Sequence, residues 1–227
     1  MTNVLVVYKK NFESIHDDSL DHLKSSLESA KSNHQLRVEI RARERVRRAD
    51  FIGRDLVIVL GGDGTLTSIS HNIDESTPVM GVNSHPKTDD PKGSVGFYMD
   101  STLDTFSNDL ERALTGKAIV NNLPRLRAII DSTSGNRYTT DPAMNELLIA
   151  NTHQYAPSKY HLRRGNRNTD QQSSGLIFST WLGQGAWFSH SLDPGSLTEI
   201  REVVKAGEED THYFVLARDL DHQMRVD

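Results

Sequence analysis

Residues 56–69 read LVIVLGGDGTLTSI, and this stretch decides the fold. A continuous apolar run is the pattern of a strand buried on both faces. It stops at Gly61, Gly62, Asp63 and Gly64, and the residues that follow suit a short helix. A glycine turn between a strand and a helix aims unpaired N–H groups at a ligand, and glycines let phosphate oxygens reach the backbone. The turn is neither a Walker A loop, G-x-x-x-x-G-K-S/T, nor the dinucleotide fingerprint G-x-G-x-x-G. It also carries a negative charge. Two unit charges about 4 Å apart repel by roughly 1 kcal/mol in water and roughly 4 at an effective dielectric of 20. Asp63 therefore needs a task. It can take a proton from an attacking hydroxyl, help hold Mg²⁺ against phosphates, or simply cap the helix.

Working outward, the flanking segments alternate between strand and helix. VLVVY (4–8), LRVEI (36–40), DLVIVL (55–60) and PVMGV (78–82) read as strands. Leu20, Leu23, Leu27 and Ala30 share one helix face, with Ser19 or Asp18 as the expected cap. A further helix, DTFSNDLERALTG, presents Phe106, Leu110 and Leu114 and closes at Gly116. This order predicts an α/β domain with a parallel sheet. The pattern then changes. RLRAIID, GNRYTT, ELLIA, SKYHLR, GLIFST and HYFVLA are closely spaced strands separated by turn residues, with one helix expected near 197–205. The expected organisation is an α/β domain over 1–116 and a β-rich, sandwich-like domain over 117–227.

Composition sets the outer limits. The chain has 227 residues, enough for one large or two small domains, and its net charge of −5 gives no general attraction to nucleic acid or anionic membranes. It has no cysteine, which removes disulfides, thiolate metal sites and a cysteine nucleophile. The ten histidines show no metal-ligand spacing, so no structural metal is expected. The longest apolar runs are about five residues, against the ~20 a bilayer span needs. MTNVLVVYKK leads into a strand and has neither a signal-peptide nor a presequence pattern. The expected location is the cytoplasm, or mitochondria after removal of a presequence. The basic runs RARERVRR (41–48) and HLRRGNRN (161–168) read as solvated faces.

GGDGT resembles the signature shared by NAD kinases, diacylglycerol and sphingosine kinases and phosphofructokinase-like enzymes. Three further stretches narrow the resemblance to NAD kinases. GVN and GSVGFYMD (81–83 and 93–100) resemble that family's G-V/I-N/H and G-x-L-G-F segments. AMNELLI (143–149) resembles its N-E motif, and SSGLIFSTWLGQGAWF (173–188) lies where the family has G-L-x-x-S-T-P-T-G-S-T-A-Y. The insertion SHPKTDDPK, the SSGL and the Trp of GAW are similar to the mitochondrial-type branch.

The resemblance implies transfer of a phosphoryl group from ATP or polyphosphate to the adenosine ribose 2′-hydroxyl of NAD(H). It implies Asp63 as the base and Gly61, Gly62, Gly64 and Thr65 as the phosphate loop. It implies a dinucleotide site of Asn83, Phe97, Tyr98, Asn145, Glu146, Thr180, Gly183, Ala186 and Trp187. Mg²⁺ would come transiently with the phosphate donor, and the assembly would be a homodimer or homotetramer, without nucleic-acid or membrane partners. The chemistry suits these roles: an amide serves a purine edge, a carboxylate accepts from ribose hydroxyls, and an indole stacks on a base. Blander roles stand beside them. Asn145 and Glu146 can be solvated turn residues, Phe97 can be core, and Trp187 can seal the domain.

The chain departs from the family at TWLGQGAW (180–187), where Leu182 and Gly185 stand in a stretch that is hydroxyl-rich in the family. Two hydroxyls that would bond the dinucleotide are lost. The chain also ends at MRVD, where the family continues past V-D-G into further strands, and an exposed sheet edge covered by a second subunit or further chain is expected there. A non-catalytic or altered-specificity nucleotide-binding protein on the same fold is the second reading. A lipid kinase would share only GGDGT and leave Asn145 and Glu146 unexplained.

Overall fold

The computed structural model describes residues 1–10, 15–153, 155–207 and 212–219. Two units divide the chain, Met1–Asn122 and Leu123–Asp227, a few residues beyond the boundary read at Lys117.

In the first unit, β1 (Thr2–Tyr8), α1 (Ile15–Ala30), β2 (Leu36–Ala42), α2 (Arg48–Phe51), β3 (Leu56–Gly61), α3 (Asp63–Ile69), β4 (Val79–Asn83), β5 (Ser101–Thr102) and α4 (Phe106–Leu114) follow in order. The five strands form one sheet in the order β2-β1-β3-β4-β5, and every pair is parallel. β3 is buried at all six positions, as its unbroken apolar run requires of a central strand. Val4, Val6, Ile58 and Leu60 pack with Leu23 and Leu27 of α1 and Phe106 and Leu110 of α4 in one core. The α4 helix ends as expected: Gly116 has φ +69, and Lys117 N–H returns to Arg112 O at 2.8 Å.

The expected cap of α1 is corrected. The helix starts at Ile15, so Ser19 and Asp18 lie inside it. Ser19 is 2% exposed, and its hydroxyl donates to Ser84 O at 3.4 Å instead of meeting the first turn. Burial against the β4 end outweighs the local capping preference.

The second unit contains β6 (Ile129–Asp131), β7 (Arg137–Thr139), β8 (Glu146–Ile149), β9 (Ser158–Arg164), β10 (Arg167–Ser173), β11 (Gly175–Ser179), α5 (Trp187–His190), α6 (Pro194–Lys205) and β12 (Phe214–Arg218). Its strands form three small antiparallel sheets: β6-β7, β9-β10, and β8-β11-β12 with β11 central. Ile177, Phe188 and Ile200 form a small core against Leu192, Phe214 and Leu216. The helix expected at 197–205 begins earlier, at Pro194. Asp193 caps it by accepting from Gly195 N–H and Ser196 N–H, with proline in the first turn. The expected C-terminal edge beyond β12 falls largely on residues 220–227, outside the described residues.

Candidate active site

The strand order reverses direction between β1 and β3. In open α/β sheets ligands bind beyond the carboxyl ends of the strands at such a switch. For β3 that end is the glycine turn. For β1 it is Lys9 and Lys10, and Lys9 N–H donates to Leu60 O at 3.2 Å, which sets its backbone beside the turn.

The three glycines of the turn differ in purpose. A Cβ on Gly61 would lie 2.3 Å from the buried Thr65 hydroxyl, and one on Gly62 would lie 2.7 Å from Ser94 Cβ and Oγ. Both are glycines because neighbouring side chains occupy the space. A Cβ on Gly64 would meet nothing within 4 Å, so this position stands open. Thr65 is 2% exposed, and its N–H bonds Gly62 O at 2.8 Å, closing the first turn of α3.

Asp63 does not cap α3. Gly62 is the capping residue and Asp63 is the first helical one. The carboxylate instead reaches a loop more than thirty residues away. Oδ1 accepts from Tyr98 N–H at 2.9 Å. Oδ2 accepts from Gly96 N–H at 3.0 Å and from the Ser94 hydroxyl at 3.2 Å. An ionised carboxylate offers about four lone-pair sites. Three donors leave about one, enough for a proton or a single cation contact but not for both at once.

Residues 84–98 are folded onto this carboxylate. Asn83 is 4% exposed; its Nδ2 donates to Ser94 O at 3.3 Å and its Oδ1 accepts from His85 N–H at 3.2 Å. Asn83 thus braces the loop. His85 Nε2 pairs with Asp90 at 3.0 Å, and Lys92 N–H and His85 hold the Asp90 carboxyl below its ordinary range. Phe97 is not core: it is 49% exposed and meets Tyr98 edge to face, ring centres 4.9 Å apart.

The second unit gathers the other expected residues around the β8–β11 pair, where Glu146 and Ser179 are in register. Thr180 N–H donates to Asn145 O at 3.2 Å. Thr180 is 3% exposed; its hydroxyl donates to Met144 O at 2.9 Å and accepts from Leu182 N–H, capping a 3-10 helix over Trp181–Gly185. Gly183 sits against Ser179, whose Oγ would be 1.9 Å from an added Cβ. Ala186 precedes α5 as its capping residue. Glu146 Oε1 accepts from Phe188 N–H at 2.8 Å, so this side chain anchors α5. Burial raises its pKa above the usual 4.5, opposed by the Phe188 N–H and by His190. Trp187 is 44% exposed, and the Arg218 guanidinium lies 4.7 Å from its ring centre, so one indole face already carries a cation.

Three residues at these sites escaped the sequence reading: Ser94, Arg218 and Lys9. Two of them had a signal: the charged pair after β1 marks the end of a strand beside the switch point, and Ser94 lies inside the GSVGFYMD segment. Among the described residues no cluster of three or more His, Asp or Glu could hold a metal, and no helix is long and apolar enough to cross a membrane.

A parallel sheet with a glycine turn at its switch point, followed by antiparallel β units, is a fold shared with two solved structures: an NAD kinase from Archaeoglobus fulgidus in complex with ATP and a yeast NADH kinase complexed with NADH. The first gives a TM-score of 0.62 at 18% identity, covering 85% of this chain and 66% of that one. The second gives 0.66 at 15% identity, covering 84% and 57%. Residues 3–118 match the family model described as the ATP-NAD kinase N-terminal domain, and the chain belongs to the NAD kinase family. A probable NADH kinase from Oryza sativa subsp. japonica is 32% identical over 148 residues, which is 58% of this chain and 44% of that protein. An NAD kinase from Syntrophobacter fumaroxidans is 33% identical over 138 residues, 59% of this chain and 44% of that protein. The matches thus span less than half the length of these curated relatives.

Proposed function

We propose that the chain is an NAD kinase-like phosphotransferase that phosphorylates the adenosine ribose 2′-hydroxyl of NAD(H), with ATP or polyphosphate as donor. The observation that carries this reading is Asp63: a carboxylate beside a glycine turn, held by Ser94, Gly96 and Tyr98, with about one acceptor site left. The 2′-oxygen attacks the terminal phosphorus, its proton passes to Asp63, and the bond to the departing nucleotide or polyphosphate breaks. A carboxylate is a weak base for an alcohol, but a loose transition state asks mainly for positioning and charge neutralisation. Gly61, Gly62, Gly64 and Thr65 are assigned to the phosphates. Asn83, Phe97, Tyr98, Asn145, Glu146, Thr180, Gly183, Ala186 and Trp187 are assigned to the dinucleotide. Mg²⁺, bound transiently with the donor, would supply charge neutralisation at the phosphates. A homodimer or homotetramer in the cytoplasm or in mitochondria completes the proposal.

Incubation with NAD or NADH, ATP or polyphosphate, and Mg²⁺ tests it: NADP or NADPH forms and EDTA stops its formation. A folded chain that binds NAD by calorimetry and makes no product favours the second reading, a non-catalytic binder. That reading has its own observation, since the remaining Thr180 hydroxyl is engaged inside the chain.

A further inference from the structure

We propose that Ser94 is a positioning residue for Asp63, acting through its hydroxyl on both the backbone and the carboxylate of that residue. The inference rests on the phosphotransferase reading and adds a residue to it. The Ser94 Oγ accepts from Asp63 N–H at 3.2 Å and donates to Asp63 Oδ2 at 3.2 Å. It also lies 3.3 Å from Gly96 N, whose N–H is shared with Asp63 Oδ2 at 3.0 Å. A hydroxyl is suited to this because it donates and accepts at once.

The backbone of Ser94 is held in turn. Its N–H donates to His85 O at 2.8 Å, and its carbonyl accepts from Lys87 N–H at 2.8 Å and Asn83 Nδ2 at 3.3 Å. Ser94 packs directly on Gly62, where an added Cβ would lie 2.7 Å from Ser94 Cβ and Oγ. The contacts to Asp63 require a hydroxyl at 94. Alanine keeps the size and loses both contacts. The Asp63 amide then has no hydroxyl partner, the carboxylate keeps two donors instead of three, and its torsion is less restricted. Placement of the reacting group within fractions of an ångström is worth large factors in rate.

The test compares the wild-type chain with Ser94→Ala and Ser94→Cys, a near-isosteric change that keeps a weak donor and acceptor. The expected result is a fall in kcat of roughly 10- to 100-fold for Ser94→Ala with KM for NAD and ATP within about threefold, and an intermediate kcat for Ser94→Cys. Amide hydrogen exchange is measured on the same proteins. Exchange of the Asp63 and Gly96 amides should accelerate in Ser94→Ala, while Val6 and Ile58 in the core strands keep wild-type protection. An unchanged kcat in an active Ser94→Ala protein overturns the proposal. So does unchanged exchange at Asp63 and Gly96, whether or not the chain turns over. If the wild type makes no NADP, the phosphotransferase reading fails on its own, and the exchange result still decides whether Ser94 holds Asp63.

Discussion

The two units hold their functional side chains in different ways. In the first, a central strand buried at every position ends at the glycine turn, and a core of strand and helix residues stands behind it. Asp63 is then fixed by partners from residues 94–98, far along the chain. In the second, the described sheets have two or three strands, Ile177, Phe188 and Ile200 form one small buried cluster, and Ile129, Ile130, Leu148 and Ile149 remain 65%, 48%, 43% and 48% exposed. Glu146 and Thr180 are held largely by cross-strand neighbours and by the first turns of short helices. In the first unit the carboxylate is set by long-range contacts from a loop that packs on the glycine turn. A site on a thin sheet depends on each side chain also serving as a strut.

The sharpest way to break this contrast is Asp63→Asn. The amide keeps one acceptor, which suits Tyr98 N–H, and turns a donor toward Gly96 N–H and the Ser94 hydroxyl. Transfer should fall by about 10²–10⁴-fold, the range for a lost acid–base group. Exchange at Gly96 should rise more than at Tyr98. Wild-type turnover would remove Asp63 from the chemistry and leave it as a brace.

Next in size is Phe106→Ala, which empties a fully buried site between α4 and the sheet. It should cost about 3–5 kcal/mol in denaturant unfolding of the first unit. An effect no larger than that of Ile177→Ala in the second unit would mean the two cores are equally supported.

Glu146→Ala should weaken dinucleotide binding by about 1.5–3 kcal/mol, as removal of a hydrogen bond to a charged group does. Unlike a residue that only faces a ligand, it should also destabilise the second unit, because Phe188 N–H loses its acceptor. Glu146→Gln separates the two roles through pH. The folded-state pKa is raised, chiefly by burial, so the group's contribution is fully present below the unfolded value and is lost as pH rises through the folded one. Glutamine keeps an acceptor for Phe188 and cannot ionise. Its stability relative to wild type should therefore climb as pH rises from the usual 4.5 through the raised folded value. A difference that stays flat with pH in thermal melts would rule out the buried carboxylate as its source.

The smallest effect is spectroscopic. NAD should alter Trp187 fluorescence, and Trp187→Ala should abolish that change while Trp181→Ala keeps it. Because Arg218 already lies over one indole face, Arg218→Ala should enlarge the change. A signal that survives in Trp187→Ala and disappears in Trp181→Ala would move the base to a different aromatic.

Much of the first unit was legible because its signals are local. An apolar run, glycines at its end and a 3–4 spacing of leucines each report on neighbours within a few positions, and β3, α3 and the face of α1 formed as read. Ser19 was misread as a cap because its own preference is local while its partner, Ser84, is not. The start of α6 was missed although Asp193 and Pro194 carry a standard N-terminal signal, since the apolar spacing begins only later.

Sequence alone determined that a glycine turn with an aspartate follows a buried strand, that a parallel α/β region precedes a β-rich one, and that the chain resembles NAD kinases. Tertiary structure decided what the aspartate touches, that Asn83 and the Thr180 hydroxyl are braced inward, that Glu146 supports α5, and that Arg218 covers Trp187. The reason is physical. Backbone conformation answers to side chains a few residues away, whereas the occupants of a carboxylate's lone pairs or an indole's face are chosen by whichever distant segment the packing brings within hydrogen-bonding or van der Waals range.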